Sequence, residues 1–393
     1  MKEVHPKLIL RYRNEEIANE LIKNNNYEFI DIEKYDYNFN NGPIENINEN
    51  EDICYVFFTS GTTGVPKGVL INHFNLYNNN RRFGEDDEHL CIANSLLKEN
   101  KVNNILGISK FSFDMYHNEI TFSLMHGLTL IFADDNLVND IVGLSKYINE
   151  NKVEYIVTTP TRFKVFMENE EFLKALSNIK VVLFGGEELT RSLCENIHKY
   201  SNCEIYNEYG PTECTISCTY KKVDKNSERK ITIGKPLCNY KLYILDEEMN
   251  ICPVGVEGEI YISGYGTGKG YLNKEALTKE KFIPCPYNNN GNKYNEIMYR
   301  TGDLGRWTEE GEIEYLGRID FQVKIHGQRI ELGEIESKIK EMEEIQQVVV
   351  IDKEKEGGDK YLICYYVINN EINDKEINSK IIRNYLKKNY RHI

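Results

Sequence analysis

The chain has 393 residues, 40% of them hydrophobic and 28% charged, which is enough for roughly two or three globular domains with proper cores. Its 62 acidic against 48 basic side chains leave a net charge of -14, which repels a polyphosphate backbone at long range and argues against a nucleic-acid partner. Any nucleotide must therefore be gripped locally.

The opening stretch "MKEVHPKLILRYRNEE" has charges inside its apolar run and no small-residue cleavage site, so no leader is expected. No segment approaches the roughly 18 apolar residues that span a bilayer, and no membrane partner is expected. Ten cysteines at irregular spacing, without a CxxC pair, suit neither a zinc site nor a disulfide framework. Reduced thiols in a cytoplasmic chain are the expectation.

In chain order, "ICYVFF" and "GVLI" are short apolar runs flanking "TSGTTGVPKG" (59 to 68), so this loop is read as joining two strands. It is not a Walker loop, which would place a glycine at Pro66 and a hydroxyl at Gly68. Gly61, Gly64 and Gly68 allow backbone N–H groups to approach an anion, Thr59, Ser60, Thr62 and Thr63 add hydroxyls, and Lys67 adds charge. A Gly/Thr-rich turn taken alone is equally a plain hairpin connection. Without the metal-binding hydroxyl, magnesium needs a carboxylate from elsewhere.

"YIVTTP" (155 to 160), "KVVLFGG" (180 to 186) and "CEIYNEYGPTE" (203 to 213) read as buried strands, with helical patterns such as "LSKYINENK" and "RSLCENIHKY" between them. Strands alternating with helices predict a largely parallel sheet with ligands at its carboxyl ends. In "NEYGPTE", Tyr209 is placed to lie against a base, Thr212 to reach a phosphate oxygen, and Glu213 to hold Mg2+, although "YGP" is also a good turn by itself.

From about Ile216 to Leu316 close-spaced strands predict a β-rich subdomain, with "YNNNGNKYN" (287 to 295) as an exposed loop. Within it, "YRTGDLGRW" puts Asp303 at the start of a strand, where its carboxylate can accept a ribose diol, or simply end a turn. After "GRID" the pattern becomes helix, strand, strand, helix: Ile335, Ile339 and Met342 share one helical face, and Ile377, Ile381 and Tyr385 another. At this junction Arg318 offers a guanidinium fork to ribose and phosphate, and Asp320 sits where a hinge is expected.

Taken in order, these strings resemble the adenylate-forming superfamily of acyl- and aryl-CoA synthetases, luciferases and peptide synthetases. The resemblance is closest to the amino-acid adenylation domains of nonribosomal peptide synthetases and to D-alanine carrier-protein ligases. "TSGTTGVPKG" is similar to its phosphate loop, "FDMYHNE" (113 to 119) to its substrate-aspartate motif, and "NEYGPTE" to its adenine and magnesium motif. "GEIYISGYGTGKGYL", "YRTGDLG" and "GRIDFQVKIHGQRIELGEIE" are similar to its Gly-rich, ribose and hinge motifs.

The resemblance implies an α/β fold: a large domain of mostly parallel sheet with helices (1 to 215), a β-barrel-like subdomain (216 to 318), and a small mobile α+β subdomain (319 to 393). It implies attack of a substrate carboxylate on the α-phosphate of ATP, giving acyl-AMP, and transfer to the phosphopantetheine thiol of a peptidyl or acyl carrier protein. Lys67, Thr212 and Glu213 would be catalytic, with Mg2+ on Glu213. ATP would be held by Thr59, Ser60, Gly61, Thr62, Thr63, Gly64, Asn207, Glu208, Tyr209, Gly210, Asp303, Tyr315 and Arg318 as well.

Asp114, on its own a helix N-cap candidate, marks in this family the pocket for a substrate α-amino group, favouring an amino acid over a fatty or aryl acid. The side chain would meet Met115, Asn118, Val157, Leu183, Gly185, Glu208, Ile216 and Ser217. Against the family pattern the chain reads as incomplete at both ends. It begins at "HPKLIL", inside the large domain, and stops at "LKKNYRHI", before a catalytic lysine segment; His326 replaces the usual arginine of the hinge motif, and Lys324 has another role. The alternatives to an amino-acid-activating ligase are a nucleotide-binding remnant of weak activity and an acyl-CoA synthetase-like ligase.

Overall fold

The structure, a computed structural model, describes residues 4, 6–11, 28–36, 42, 45–60, 66–81, 91–227, 229–288, 291–319, 322–325, 328–354, 360–369 and 378–389. They belong to two compact units, 1–52 and 53–393. In the first, Leu8–Arg11 pairs in parallel with Glu28–Asp31. Among the described residues no helix is long and apolar enough to cross a membrane.

The second unit begins with an antiparallel pair, Ile53–Thr59 and Lys67–Asn72, in which Thr59 faces Lys67. The loop does join two strands, as the flanking apolar runs predict. Asn72 then caps the helix His73–Asn80, accepting from the Asn75 N–H while Asn75 reaches back to the Asn72 N–H.

A seven-stranded sheet follows. Thr129–Phe132, Asn104–Gly107, Tyr155–Thr158, Val181–Phe184 and Glu204–Tyr209 run parallel, and Thr219–Lys222 and Lys235–Pro236 add to it antiparallel. The central strands are apolar on both faces because both are covered. Tyr155, Val157, Val181, Leu183 and Tyr206 join one core, while Ile156, Val182, Phe184 and Ile205 join the other. The strands at 219 and 235 lie beyond Ile216, so the change in sequence pattern there does not coincide with the edge of the sheet.

A five-stranded antiparallel sheet is built from Tyr240–Leu245, Gly258–Gly264, Phe282–Pro284, Ile297–Trp307 and Ile313–Arg318. Two expectations need correcting here. Asp303 lies inside the long strand Ile297–Trp307, next to a register irregularity at Leu304/Gly305, because the strand continues through "TGD" by bulging at that point. The segment 287 to 295 is also not simply an exposed loop: Tyr294 stacks on Phe74 and leans on Tyr265, and Asn295 is buried.

The last layer is a hairpin, Gln322–Ile325 with Gln328–Glu331, then the helix Leu332–Lys340, the antiparallel pair Ile345–Glu354 and Lys360–Ile368, and the helix Ser379–Asn389. Ile335, Ile339 and Met342 share a core as their spacing predicts. In the final helix the inward residue is Ile382, 5% exposed, and Ile381 is 40% exposed. The buried face runs through Ile382, Tyr385 and Leu386, one position round from the predicted stripe; Ile377 lies outside the described residues.

Candidate active site

Lys67 opens the second strand of the first hairpin, and that hairpin is stitched to the Gly-rich segment by Leu70 N–H on the Gly270 carbonyl and Lys269 N–H on that of Leu70. The ammonium is 5% exposed and lies 3.0 Å from Glu213 Oε1, whose side chain is fully buried. Tyr271 completes the group: its hydroxyl accepts from Lys67 at 3.1 Å and donates to Glu213 at 2.8 Å. Opposite charges offset each other's desolvation, which neither could bear alone.

Glu213 sits in the turn Thr212–Cys214, followed by two non-glycine residues at positive φ, Thr215 at 59° and the β-branched Ile216 at 66°. Side chains rarely adopt this region, and such strain collects where geometry matters to function. Just upstream, a Cβ on Gly210 would fall 2.4 Å from the Ile216 carbonyl oxygen, so only glycine allows the chain to double back here.

A second cluster joins the two sheets. Tyr209, at the end of Glu204–Tyr209, donates its hydroxyl to Asp303 Oδ2 at 2.5 Å, and Arg318, the cross-strand partner of Asp303, donates to Oδ1 at 2.7 Å. Arg318 also reaches the Thr301 carbonyl, whose hydroxyl accepts from the Asp303 N–H. Burial, and the charge of Asp303, hold the Tyr209 phenol well above its usual range. Tyr209 and Arg318 border a cleft of about 520 Å³ that also reaches Asn207, Glu208, Gly186 and Tyr315.

The third cluster lies over one face of the parallel sheet. Val157, Leu183 and Tyr206 form a buried row on it, and two positions beyond Leu183 and Tyr206, Gly185 and Glu208 continue that face. Glu208 is 5% exposed; Asn118 Nδ2 donates to both its oxygens at 3.1 Å, and Ser217 Oγ donates at 2.8 Å. Burial pushes its carboxyl up to about 7, the two donors counteract, and the charge of Asp114 adds to the rise.

Asn118 lies on the helix Tyr116–His126, whose N-cap is Met115 without a side-chain bond, so the Asp114 carboxylate does not cap it. Its carbonyl instead accepts from the His117 N–H at 2.8 Å. The charge of Asp114 also reaches Tyr55, whose phenol burial already pushes up.

Lys67 and Glu213 thus meet at the turn that Thr212 opens, Asn207, Glu208, Tyr209, Tyr315 and Arg318 line one cleft with Asp303 bonded behind Tyr209 and Arg318, and Met115, Asn118, Gly185 and Ser217 surround Glu208. Thr59 ends its strand and Ser60 follows it, while Gly61, Thr62, Thr63, Gly64 and Asp320 lie outside the described residues. Sequence reasoning missed Tyr271, whose signal is a tyrosine closing the Gly-rich string. It also missed Glu119, a buried acid that accepts from Ile108 N, Ser109 N and Ser109 Oγ and whose carboxyl burial raises to about 7.

Among the described residues no group of three or more His, Cys, Asp or Glu could hold a metal alone. Mg2+ needs no such group, since it takes one or two carboxylates and completes its shell with phosphate oxygens and water. Glu213 is a suitable ligand of this kind, and the cleft has a volume suited to a nucleotide.

The sequence model of a family described as AMP-binding enzyme matches residues 2–272. Bacitracin synthase 1 of Bacillus licheniformis is 37% identical over 342 residues, covering 85% of this chain and 6% of that protein. Bacitracin synthase 2 of the same organism is 38% identical over 355 residues, covering 88% and 13%. The chain therefore spans a small part of the length of these relatives. Among solved structures, a holo NRPS protein containing adenylation and PCP domains, bound to a vinylsulfonamide inhibitor, has a TM-score of 0.79 at 25% identity, over 95% of this chain and 61% of that one. The α/β architecture and the extent of these matches establish that the chain belongs to the AMP-binding enzyme family.

Proposed function

We propose that the chain activates an amino-acid carboxylate with ATP. A carboxylate oxygen bonds to the α-phosphorus, the bond to the β-phosphate bridge breaks, and aminoacyl-AMP and pyrophosphate form. The phosphopantetheine thiol of a carrier protein then bonds to the acyl carbon through sulfur, losing its proton, as AMP leaves. The observation that carries this reading is that one parallel strand, Glu204–Tyr209, ends in members of three clusters: Glu208 with Asn118, Tyr209 with Asp303 and Arg318, and, in the turn that follows, Glu213 with Lys67.

In this reading Tyr209 and Tyr315 flank the adenine, Asp303 binds the ribose, and Arg318 holds both Asp303 and a phosphate. Bound Mg2+ supplies charge neutralisation to the phosphate oxygens. Lys67 and Thr212 orient the same oxygens, and Glu213 holds its place through Tyr271. Since nucleophile and electrophile are both anionic, positioning and charge neutralisation carry most of the rate. Asp114 receives the α-ammonium, which separates this reading from an acyl-CoA synthetase-like one. Regions 1–215, 216–318 and 319–393 would then be the core, its β-rich part and the small C-terminal subdomain. Relatives that are peptide synthases, and a solved relative that includes a PCP domain, support the carrier partner.

The test is amino-acid-dependent exchange of labelled pyrophosphate into ATP, followed by transfer to a holo carrier protein. Exchange that needs both an amino acid and Mg2+ is expected. Exchange supported equally by fatty or aryl acids would overturn the amino-acid assignment.

A further inference from the structure

Glu208, a buried acid at the edge of the cleft, has only neutral hydrogen-bond partners among the described residues. All three hydrogen bonds to Glu208 come from Asn118 and Ser217, and among the described residues no lysine, arginine or histidine forms an ion pair with it. Neutral donors do not cancel a buried charge. The other ionisable groups bearing on it are Asp114 and the phenols of Tyr155 and Tyr220, none of which supplies a cation.

The carboxylate lies directly over Gly185, where a Cβ would come 2.9 Å from both Glu208 Cγ and Oε1 and 3.2 Å from Met115 Cε. A glycine at the strand end is what lets the acid lie along the sheet face. Below it the buried row of Val157 and Leu183 is apolar, and Ile216 adds apolar surface beside Ser217.

Resting on the reading of amino-acid activation, we infer that Glu208 selects a diamino acid, taking the side-chain ammonium while Asp114 takes the α-ammonium. The methylene stem between them lies against Met115, Leu183 and Ile216. An ammonium supplies both the missing counter-charge and a donor to a carboxylate that already accepts from Asn118 and Ser217. An amide would donate but leave the charge uncompensated, and an alkyl side chain would do neither.

Non-hydrolysable aminoacyl-sulfamoyladenosines test this by calorimetry on the whole chain, without requiring turnover. The series carries 2,4-diaminobutyrate, ornithine, lysine, asparagine and norvaline, with sulfamoyladenosine lacking an amino acid as reference. The best diamino analogue is expected to bind about tenfold or more tighter than the norvalyl and asparaginyl ones, as a charge-assisted hydrogen bond in a buried site implies. Glu208→Gln should abolish that margin, and Ser217→Ala, which keeps the carboxylate, should retain it.

The series on the unsubstituted chain decides the side-chain class whether or not a variant folds. Equal or tighter binding of the norvalyl or asparaginyl analogue overturns the inference, as does a margin that survives Glu208→Gln. If all aminoacyl analogues bind alike but tighter than the reference, this inference alone falls. If none exceeds the reference, the amino-acid reading falls and takes the inference with it.

Discussion

Lys67 and Glu213 are buried together at 3.0 Å, so the stability of each charge depends on the other. Removing one partner leaves a desolvated charge, and Lys67→Met or Glu213→Gln should each cost about 3–5 kcal/mol in urea unfolding. The double substitution removes both charges and should cost clearly less than the two single costs added together; strict additivity would show that the pair is not coupled. Glu208 makes a different kind of prediction. Its carboxyl is raised to about 7, so between about 4.5 and 7 the folded chain keeps a proton that the unfolded chain has released. Its contribution is fully present below the lower value and is lost as pH rises through the upper one, at most about 3 kcal/mol. Glu119 acts in the same direction, whereas His117 and His198, lowered by burial, act in the opposite one. Comparing stability against pH for Glu208→Gln and the parent isolates this one group. Parallel curves would mean that Glu208 titrates normally in the fold.

The helix Tyr116–His126 links the proposed amino-acid site to the sheet through neighbouring residues: Asn118 holds Glu208, and Glu119 holds the backbone just after Asn104–Gly107. Glu119→Ala would leave the N–H groups of Ile108 and Ser109 without their acceptor, at about 1–3 kcal/mol for a buried donor. Because Asp114, Met115 and Asn118 are carried at the start of this helix, the variant should lose aminoacyl-analogue affinity well before it loses ATP affinity. Calorimetry with each ligand separately checks this, and equal losses would mean that the helix does not serve the pocket specifically. At this scale sequence reading worked for strands and worked less well for what fixes them. "YIVT" and "VVLF" are apolar on both faces and bounded by turn residues, so their place in a covered parallel sheet follows from periodicity. A glutamate in the first turn of a helix is ordinary in sequence, since it suits the helix dipole, and nothing local marks it as a buried clamp. The same holds for the positive φ of Thr215 and Ile216, which the surrounding chain imposes and their residue types oppose. The last helix was misread by one position because the apolar pair Ile381 and Ile382 fits either stripe until packing selects one.

At the scale of the whole molecule, the cleft is bordered by the parallel sheet through Asn207 and Tyr209, by the antiparallel sheet through Tyr315 and Arg318, and by the last layer through Val323 and Ile325. The motifs that line it were legible because each combines unusual residue types over a long string. Their meeting point was not, since Asp303 and Tyr209 are 94 positions apart and only the packing of the two sheets brings them into contact. A ligand that binds this cleft in the native state and not in the unfolded chain stabilises the fold by mass action, about 2.7 kcal/mol at a hundredfold excess over Kd. ATP with Mg2+ should therefore raise the thermal unfolding midpoint in a concentration-dependent way. Asp303→Asn keeps the shape and an acceptor for Tyr209 but removes the charge facing Arg318, so its own midpoint should fall and, independently, the rise produced by ATP should shrink. The second effect is the diagnostic one, because a purely structural ion pair would lower the baseline and leave the increment from nucleotide intact. A full ATP-dependent rise in Asp303→Asn would place the nucleotide away from Asp303 and leave Tyr209, Asp303 and Arg318 as a clamp between two sheets.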